Sequence, residues 1–270
     1  MTDDPHLVAN LERYRGFAAI YDKYRPLPPP ALVGLISQLA GRTHFDCVVD
    51  LASGSGISTR LWADHADNVI GIEPNEDMRE YAAAQSAQQP HLRYQGGLAR
   101  QTGLPDQCAD VVSIGNALHW MEPVTFMAEV ARLLRPNGVF CAFQANFPPT
   151  LNWQAELTDQ SFMNKAGTMA EARGLVEHVR KWRYDEHVRQ MNESGRFRYV
   201  KELSLHSTEQ GNAERFVGLM LSQGLIHTLF KAGVTEAEIG IPHYRETIQR
   251  LLGDEPQTWY FSFRILIGIP

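Results

Sequence analysis

Asp50, Glu73 and His119 are the titratable side chains whose neighbours give them chemistry to do. Asp50 lies within VVDLASGSG, Val48 to Gly56, a short apolar strand that ends in an acid and a turn of small residues. Side chains at Ala52, Ser53, Gly54, Ser55 and Gly56 are tiny or absent, so a ligand can approach the backbone closely. Ile57 to Ala63 then resumes an apolar pattern at helical spacing, and the turn delivers free N–H groups at a helix N-terminus. A second apolar run, Asn68 to Ile72, ends in Glu73. A carboxylate at the tip of a second strand can accept both hydroxyls of a ribose. The plain alternative is an ordinary α/β turn beside a solvated glutamate. His119 and Trp120 follow a later apolar run. There an imidazole serves as a base near neutral pH, or only shapes a wall.

Strands and helices must alternate to hold these groups. The pattern predicts strands over Phe45 to Leu51, Val69 to Glu73, Leu92 to Gln95, Ala109 to Ile114 and Val139 to Gln144. Between them it predicts helices over Ile57 to His65, over Glu76 to Gln88 capped by Asn75, and over Val124 to Leu134. This alternation implies a parallel, doubly wound sheet. Upstream, Leu7 to Tyr24 reads as a helix whose Tyr14, Phe17, Tyr21 and Tyr24 share one face, ending at Arg25-Pro26. Ala31 to Leu39 is the next helix. Pro136-Asn137-Gly138 is a tight turn. After Gln144 the alternation stops, and Asn146 to Ser194 reads as mostly helical. Arg196 to His206 is strand-like, Ala213 to Phe230 and Thr235 to Leu252 are helical, and Gln257 to Ile269 is a final strand.

Composition narrows the class. With 270 residues and 44% hydrophobic content, the chain is one large domain or one domain with an insertion. A net charge of −6 argues against a general phosphate-backbone binder. Cys47, Cys108 and Cys141 are isolated, without CxxC or metal-ligand spacing, and read as reduced core residues; no metal site is expected. The N-terminus has neither a basic start nor an apolar stretch, and no run reaches the roughly 20 apolar residues a bilayer needs. A cytoplasmic protein is expected, a monomer or homodimer that binds neither nucleic acid nor membrane.

The order of these signals resembles class I S-adenosylmethionine-dependent methyltransferases, within the small-molecule branch that includes trans-aconitate methyltransferase-like proteins. VVDLASGSG is similar to that family's first motif, with Ala52 in place of the first glycine. GIEPNEDM, Gly71 to Met78, resembles the second, which implies Glu73 on the ribose with Pro74 beside it and Met78 near the adenine. GLARQTGLPDQCADVVSIGNALHWM, Gly97 to Met121, is the longest match. Leu98 and Arg100 stand where the family often places an acid, so adenine contact falls to backbone at Leu98 and Ala99. RLLRPNG, Arg132 to Gly138, resembles the turn before the fifth strand. YDKYRP is similar to a segment that folds over the cofactor, which implies Tyr21, Tyr24 and Arg25 as a lid. A dinucleotide is the competing cofactor, but its fingerprint wants a glycine where Thr59 stands.

The resemblance implies a Rossmann-like methyltransferase fold: a mostly parallel seven-stranded sheet with a helical cap inserted between strands five and six. Residues 1–145 would form the cofactor-binding core with its lid helix, 146–195 the cap on the acceptor side, and 196–270 the remaining core. S-adenosyl-L-methionine would be the cofactor and a small molecule the acceptor. Methyl transfer is an in-line displacement, so positioning and desolvation can suffice. His119 is the candidate base, Asn116 and Ala117 lie at the donor's amino-acid end, and Asp50 orders the turn or meets the donor's ammonium. Aromatics of the insertion, Phe147, Trp153, Phe162, Trp182 and Tyr184, line a pocket or form the cap's own core. His178, Arg180, Lys181, Arg183 and His187 form a basic cluster or a solvated face. The alternative function is a donor-binding protein that transfers no methyl, a regulator or a rearrangement catalyst.

Overall fold

The computed structural model describes residues 5–270. Seven strands form one sheet: β1 Phe45–Leu51, β2 Ala66–Ile72, β3 Leu92–Gln95, β4 Ala109–Gly115, β5 Leu134–Ala145, β6 Tyr199–Gly211 and β7 Gln257–Ile269. Their order is β3-β2-β1-β4-β5-β7-β6. The first five run parallel, and β7 runs antiparallel to β5. This is the mostly parallel, Rossmann-like methyltransferase fold. The order reverses beside β1, and in such sheets the crevice beyond the strand ends at that switch point receives ligands.

The chain divides into two compact units. A sheet unit comprises Leu27–Ala145, Lys181–Leu205 and Phe263–Pro270. A helical unit comprises residues up to Pro26, Asn146–Arg180 and His206–Ser262. These boundaries differ from the divisions at 145 and 195 read from the sequence. The segment before Pro26 and most of the C-terminal third group with the insertion.

In the sheet unit the parallel strands are buried on both faces, so they read as continuous apolar runs. Val49, Leu51, Val112, Ile114, Phe140 and Ala142 pack with Phe126, Val130 and Leu133 of α6, Pro123–Leu133. Glu122 caps α6 by accepting from Val124 N and Thr125 N at 3.1 and 2.8 Å. α3, Ala31–Ala40, ends at Gly41 in the left-handed region. A register shift in β4 between Ala109 and Val111 frees the Asp110 carboxylate. It accepts from Asp46 N and Cys47 N at the start of β1 and pairs with Arg42 and Arg135.

Several helices are shorter than their patterns. The N-terminal pattern is two helices, α1 Pro5–Glu12 and α2 Ala18–Tyr24, because Gly16 takes a φ of +87° between them. The helix after the glycine turn, α4, covers only Ile57–Arg60 before continuing as turns. α5 is Glu76–Gln85; Asn75 holds its N-cap position, but its side chain makes no cap. The insertion contributes α7, Trp153–Ala172, and α8, His187–Glu193, with turns over 173–178 and irregular chain over 179–183 between them. The C-terminal patterns each split, into α9 Ala213–Leu221 and α10 Gly224–Lys231, and into α11 Glu236–Ile239 and α12 Ile241–Leu252. Gly240 takes a φ of +93° at the second break. In the helical unit, α12 packs on α7 and α9, with Phe162 and Tyr244 rings 4.6 Å apart and the Tyr244 hydroxyl donating to Asp159 at 2.7 Å. No helix among the described residues is long and apolar enough to cross a membrane.

Candidate functional site

The site begins with the β1 register. Asp50 stands beside Gly71 on one side and Ser113 on the other. Its carboxylate is fully enclosed and accepts from the hydroxyls of Ser58, Thr59 and Ser113 at 2.6, 2.7 and 2.8 Å. Trp62 Nε1 donates to Ser113 Oγ in turn. Burial pushes the Asp50 carboxyl up to about 6, against the lowering effect of the three hydroxyls. An acid so enclosed orders the turn, tying β1 to α4 and β4.

The turn that follows is left-handed at Ala52, Gly54 and Gly56, with φ of 51°, 55° and 85°. Its two glycines differ. A Cβ built on Gly54 meets nothing within 4 Å. One built on Gly56 lies 2.5 Å from the Tyr94 hydroxyl and 3.1 Å from Ala82. Gly56 is therefore a packing requirement above the Tyr94 ring of β3, while Gly54 leaves backbone open to a ligand. Ser53 N donates to Ile72 O at 3.1 Å, and the buried Ser53 Oγ has no partner among the described residues.

Glu73 closes the turn from the tip of β2. Its Oε2 accepts from Gly54 N at 2.9 Å and its Oε1 from Asn75 N at 2.8 Å. Burial raises its carboxyl, and those two N–H groups with Arg79 act to lower it. Each oxygen keeps a second acceptor direction, enough for a pair of hydroxyls. The cradle thus fits a ribose: an acid at the second strand, an open glycine and an orphaned serine hydroxyl. Pro74 is half-buried, and Met78 of α5 is buried, 2% exposed.

Leu98 and Ala99 lie in a loop whose shape depends on a network the sequence did not reveal. Thr102 donates through its N and Oγ1 to Glu129 Oε1 at 2.8 and 2.7 Å. Arg132 grips Glu129 through Nε and Nη2 at 2.8 and 2.7 Å and reaches Leu104 O and Asp106. Burial acts to raise Glu129, but the Arg132 and Thr102 hydrogen bonds prevail and hold it at about 2. Leu98 is half-buried and Ala99 packs into the core beside Ile72.

At the end of β4, Asn116 takes a φ of 53°, which Asn tolerates. Its Oδ1 accepts from Ala145 N at 2.9 Å, so this amide oxygen binds the end of β5. Only its Nδ2 is left for the donor end that the sequence suggested. Ala117 precedes a 3₁₀ turn over Leu118–Trp120 that buries His119. The imidazole lies 4.6 Å from the Trp120 ring and 4.9 Å from Tyr184. Trp182 N donates to His119 O at 2.7 Å, and Lys181 sits 5.1 Å over Trp120. Tyr184 also hydrogen-bonds Gln144.

The residues of the basic run differ in their surroundings. Arg183 pairs with Asp185, and His187 is buried, its imidazole pushed down to about 4 by burial and then by Arg264. His178 and Arg180 belong to the helical unit.

Tyr21, Tyr24 and Arg25 also belong to the helical unit, whereas Asp50 through His119 belong to the sheet unit. Arg25 donates to Ser222 O at 2.9 Å and Gln223 Oε1 at 3.2 Å, between the rings of Tyr21 and Phe147 at 4.7 and 4.9 Å. The Tyr24 ring covers Gly218 of α9, where a Cβ would lie 2.3 Å away. Among the described residues no group of three His, Cys, Asp or Glu side chains is placed to hold a metal.

This arrangement is similar to that of class I methyltransferase cores. The family model described as a methyltransferase domain matches residues 49–142, the stretch that carries every sheet-unit residue above. An uncharacterized methyltransferase of Mycobacterium tuberculosis is 30% identical over 137 residues, 51% of this chain and 54% of that protein. A Mycolicibacterium smegmatis protein named a probable S-adenosylmethionine-dependent methyltransferase is 32% identical over 110 residues, 40% of this chain and 42% of that one. The chain spans about half the length of the curated relatives it matches. A solved structure from Anaeromyxobacter dehalogenans, described as a candidate type II methyltransferase, has the same fold, with a TM-score of 0.60, 22% identity, and coverage of 92% of this chain and 99% of that one. Residues 49–142 match a methyltransferase domain, and S-adenosyl-L-methionine is the cofactor such a domain takes.

Proposed function

We propose that the chain transfers a methyl group from S-adenosyl-L-methionine to a small-molecule acceptor. The observation that carries this reading is the open, left-handed Gly54 beside the buried Glu73 at the switch point of the sheet. Glu73 would accept from the ribose hydroxyls, Ser53 and Gly54 would meet the donor through their small polar groups, and Leu98 and Ala99 would face the adenine. Bound S-adenosyl-L-methionine supplies a sulfonium-activated methyl group. The chain's own residues then have to position and dehydrate the acceptor. His119 is the residue we assign to the acceptor's proton, held between Trp120 and Tyr184. Those rings favour a flat or apolar acceptor.

A net charge of −6 supports a small acceptor over nucleic acid. We place the chain in the small-molecule branch that includes trans-aconitate methyltransferase-like proteins, on the motifs Gly71 to Met78 and Gly97 to Met121. The test is turnover of methyl-labelled donor with fractionated metabolites, nucleic acid serving as the comparison. Label in a small product together with S-adenosylhomocysteine is the expected result. Donor binding without S-adenosylhomocysteine from any fraction would favour a donor-binding protein that transfers no methyl.

A further inference from the structure

We propose that Arg13, lying on the first residue of α10, forms an anion-binding site for a carboxylate or phosphate group of a second small molecule, distinct from the methyl donor. Arg13 follows α1 and is only 8% exposed. No atom of its guanidinium has a hydrogen-bond or ion-pair partner among the described residues, and its Nη1 is fully enclosed. Burial pushes the guanidinium below its ordinary range, and among the described residues no carboxylate acts on it, only the Tyr14 phenol. Other arginines that are withdrawn from solvent have acceptors: Arg132 pairs with Glu129, Arg135 with Asp110, Arg215 with Glu209 and Arg264 with Glu202, and Arg25, as buried as Arg13, donates to Ser222 O and Gln223 Oε1. A buried cation left without a counter-charge is costly, so its retention points to a partner that arrives from outside.

The surroundings are built for such a partner. The Arg13 side chain lies along Gly224, where a Cβ would fall 2.8 Å from Nε and 3.2 Å from Cδ. Gly224 opens α10, and the N-cap residue, Gln223, makes no side-chain cap. The Gln223 side chain accepts from Arg25 instead. Ile226 N and His227 N donate to Gln223 O, and the N–H groups of Gly224 and Leu225, without a side-chain cap, lie beside an unpaired guanidinium, two features that favour the same ligand. A guanidinium fork matches carboxylate and phosphate oxygens. The methyltransferase-domain match covers residues 49–142 and includes neither Arg13 nor Gly224, so the donor's own motifs do not account for this site. The inference stands whether or not the chain transfers methyl groups.

Inorganic phosphate and succinate, each titrated at constant ionic strength into the full chain, test it through the melting temperature. A saturable rise is expected in the wild type. Arg13→Met should lose it, Arg13→Lys should keep part of it with at least tenfold weaker apparent affinity, and Arg245→Met should leave it unchanged. Without anion, Arg13→Met should melt no lower than the wild type, because it removes an uncompensated charge. If that variant does not fold, Arg13→Lys still decides the matter. Three results overturn the inference: no saturable response to either anion, an unchanged response in the Arg13 variants, or a response abolished by saturating S-adenosylhomocysteine, which would make the donor's own carboxylate the ligand.

Discussion

Ala52 is a non-glycine residue in the left-handed region, at φ 51°, where the resemblance places a glycine. Its Cβ brings strain of about 1 kcal/mol in that conformation. Ala52→Gly is therefore expected to raise the unfolding free energy by about that amount without weakening ligand binding, as read by denaturant titration. Asp50 makes a prediction of opposite character. Its carboxyl sits at about 6 in the fold, above its ordinary value of 3.8. The folded state thus holds this proton more tightly, and the contribution of this group to stability declines as pH rises from about 4 to about 6. Glu129 behaves in the reverse way: held at about 2 against 4.5, it stabilises above its ordinary range, and that gain is lost as pH falls toward 2. Denaturant midpoints from pH 4 to 7 should fall less steeply in Asp50→Asn than in the wild type. Equal slopes would show that Asp50 does not carry the shift.

The glycine turn joins β1 to α4, and its two open-looking positions serve different ends. Gly54→Ala adds a methyl group into free space but into a left-handed backbone, so about 1 kcal/mol of stability is expected to go, with a larger loss in ligand affinity. Gly56→Ala drives a Cβ into Tyr94 and is expected to cost about 3 kcal/mol or more, as strain and overpacking add. Melting curves beside ligand titrations of the two variants separate these effects. The sequence displayed both glycines and could not distinguish them, because Tyr94 comes from β3, outside the motif. The five parallel strands were legible, since each is buried on both faces and reads as an apolar run. Helix lengths were less so. The pattern of apolar residues continues past Arg60 and across Gly16 and Gly240, where the backbone breaks the helix and packing continues. The Glu129–Arg132–Thr102 tie was also hidden, since an Arg and a Glu one turn apart on a helix read as a solvated pair.

For the molecule as a whole, the glycine turn, Glu73 and the methyltransferase-domain match all lie in the sheet unit. The lid residues read from YDKYRP lie in the helical unit, each with partners there. The sequence grouped them with the core because it shows adjacency along the chain, and the contacts that anchor Tyr24 and Arg25 come from Gly218 to Gln223. The insertion divides for the same reason. Its end, from Lys181, belongs to the sheet unit, where Trp182 N donates to the His119 carbonyl.

Isothermal titration of the full chain with S-adenosylhomocysteine, and with NAD for comparison, tests the central claim most directly. The account predicts saturable heat with S-adenosylhomocysteine and none with NAD. In Glu73→Gln, affinity for S-adenosylhomocysteine should fall about tenfold or more, for the loss of charge-assisted hydrogen bonds worth about 1.5–3 kcal/mol each. Binding of NAD with no response to S-adenosylhomocysteine would contradict it.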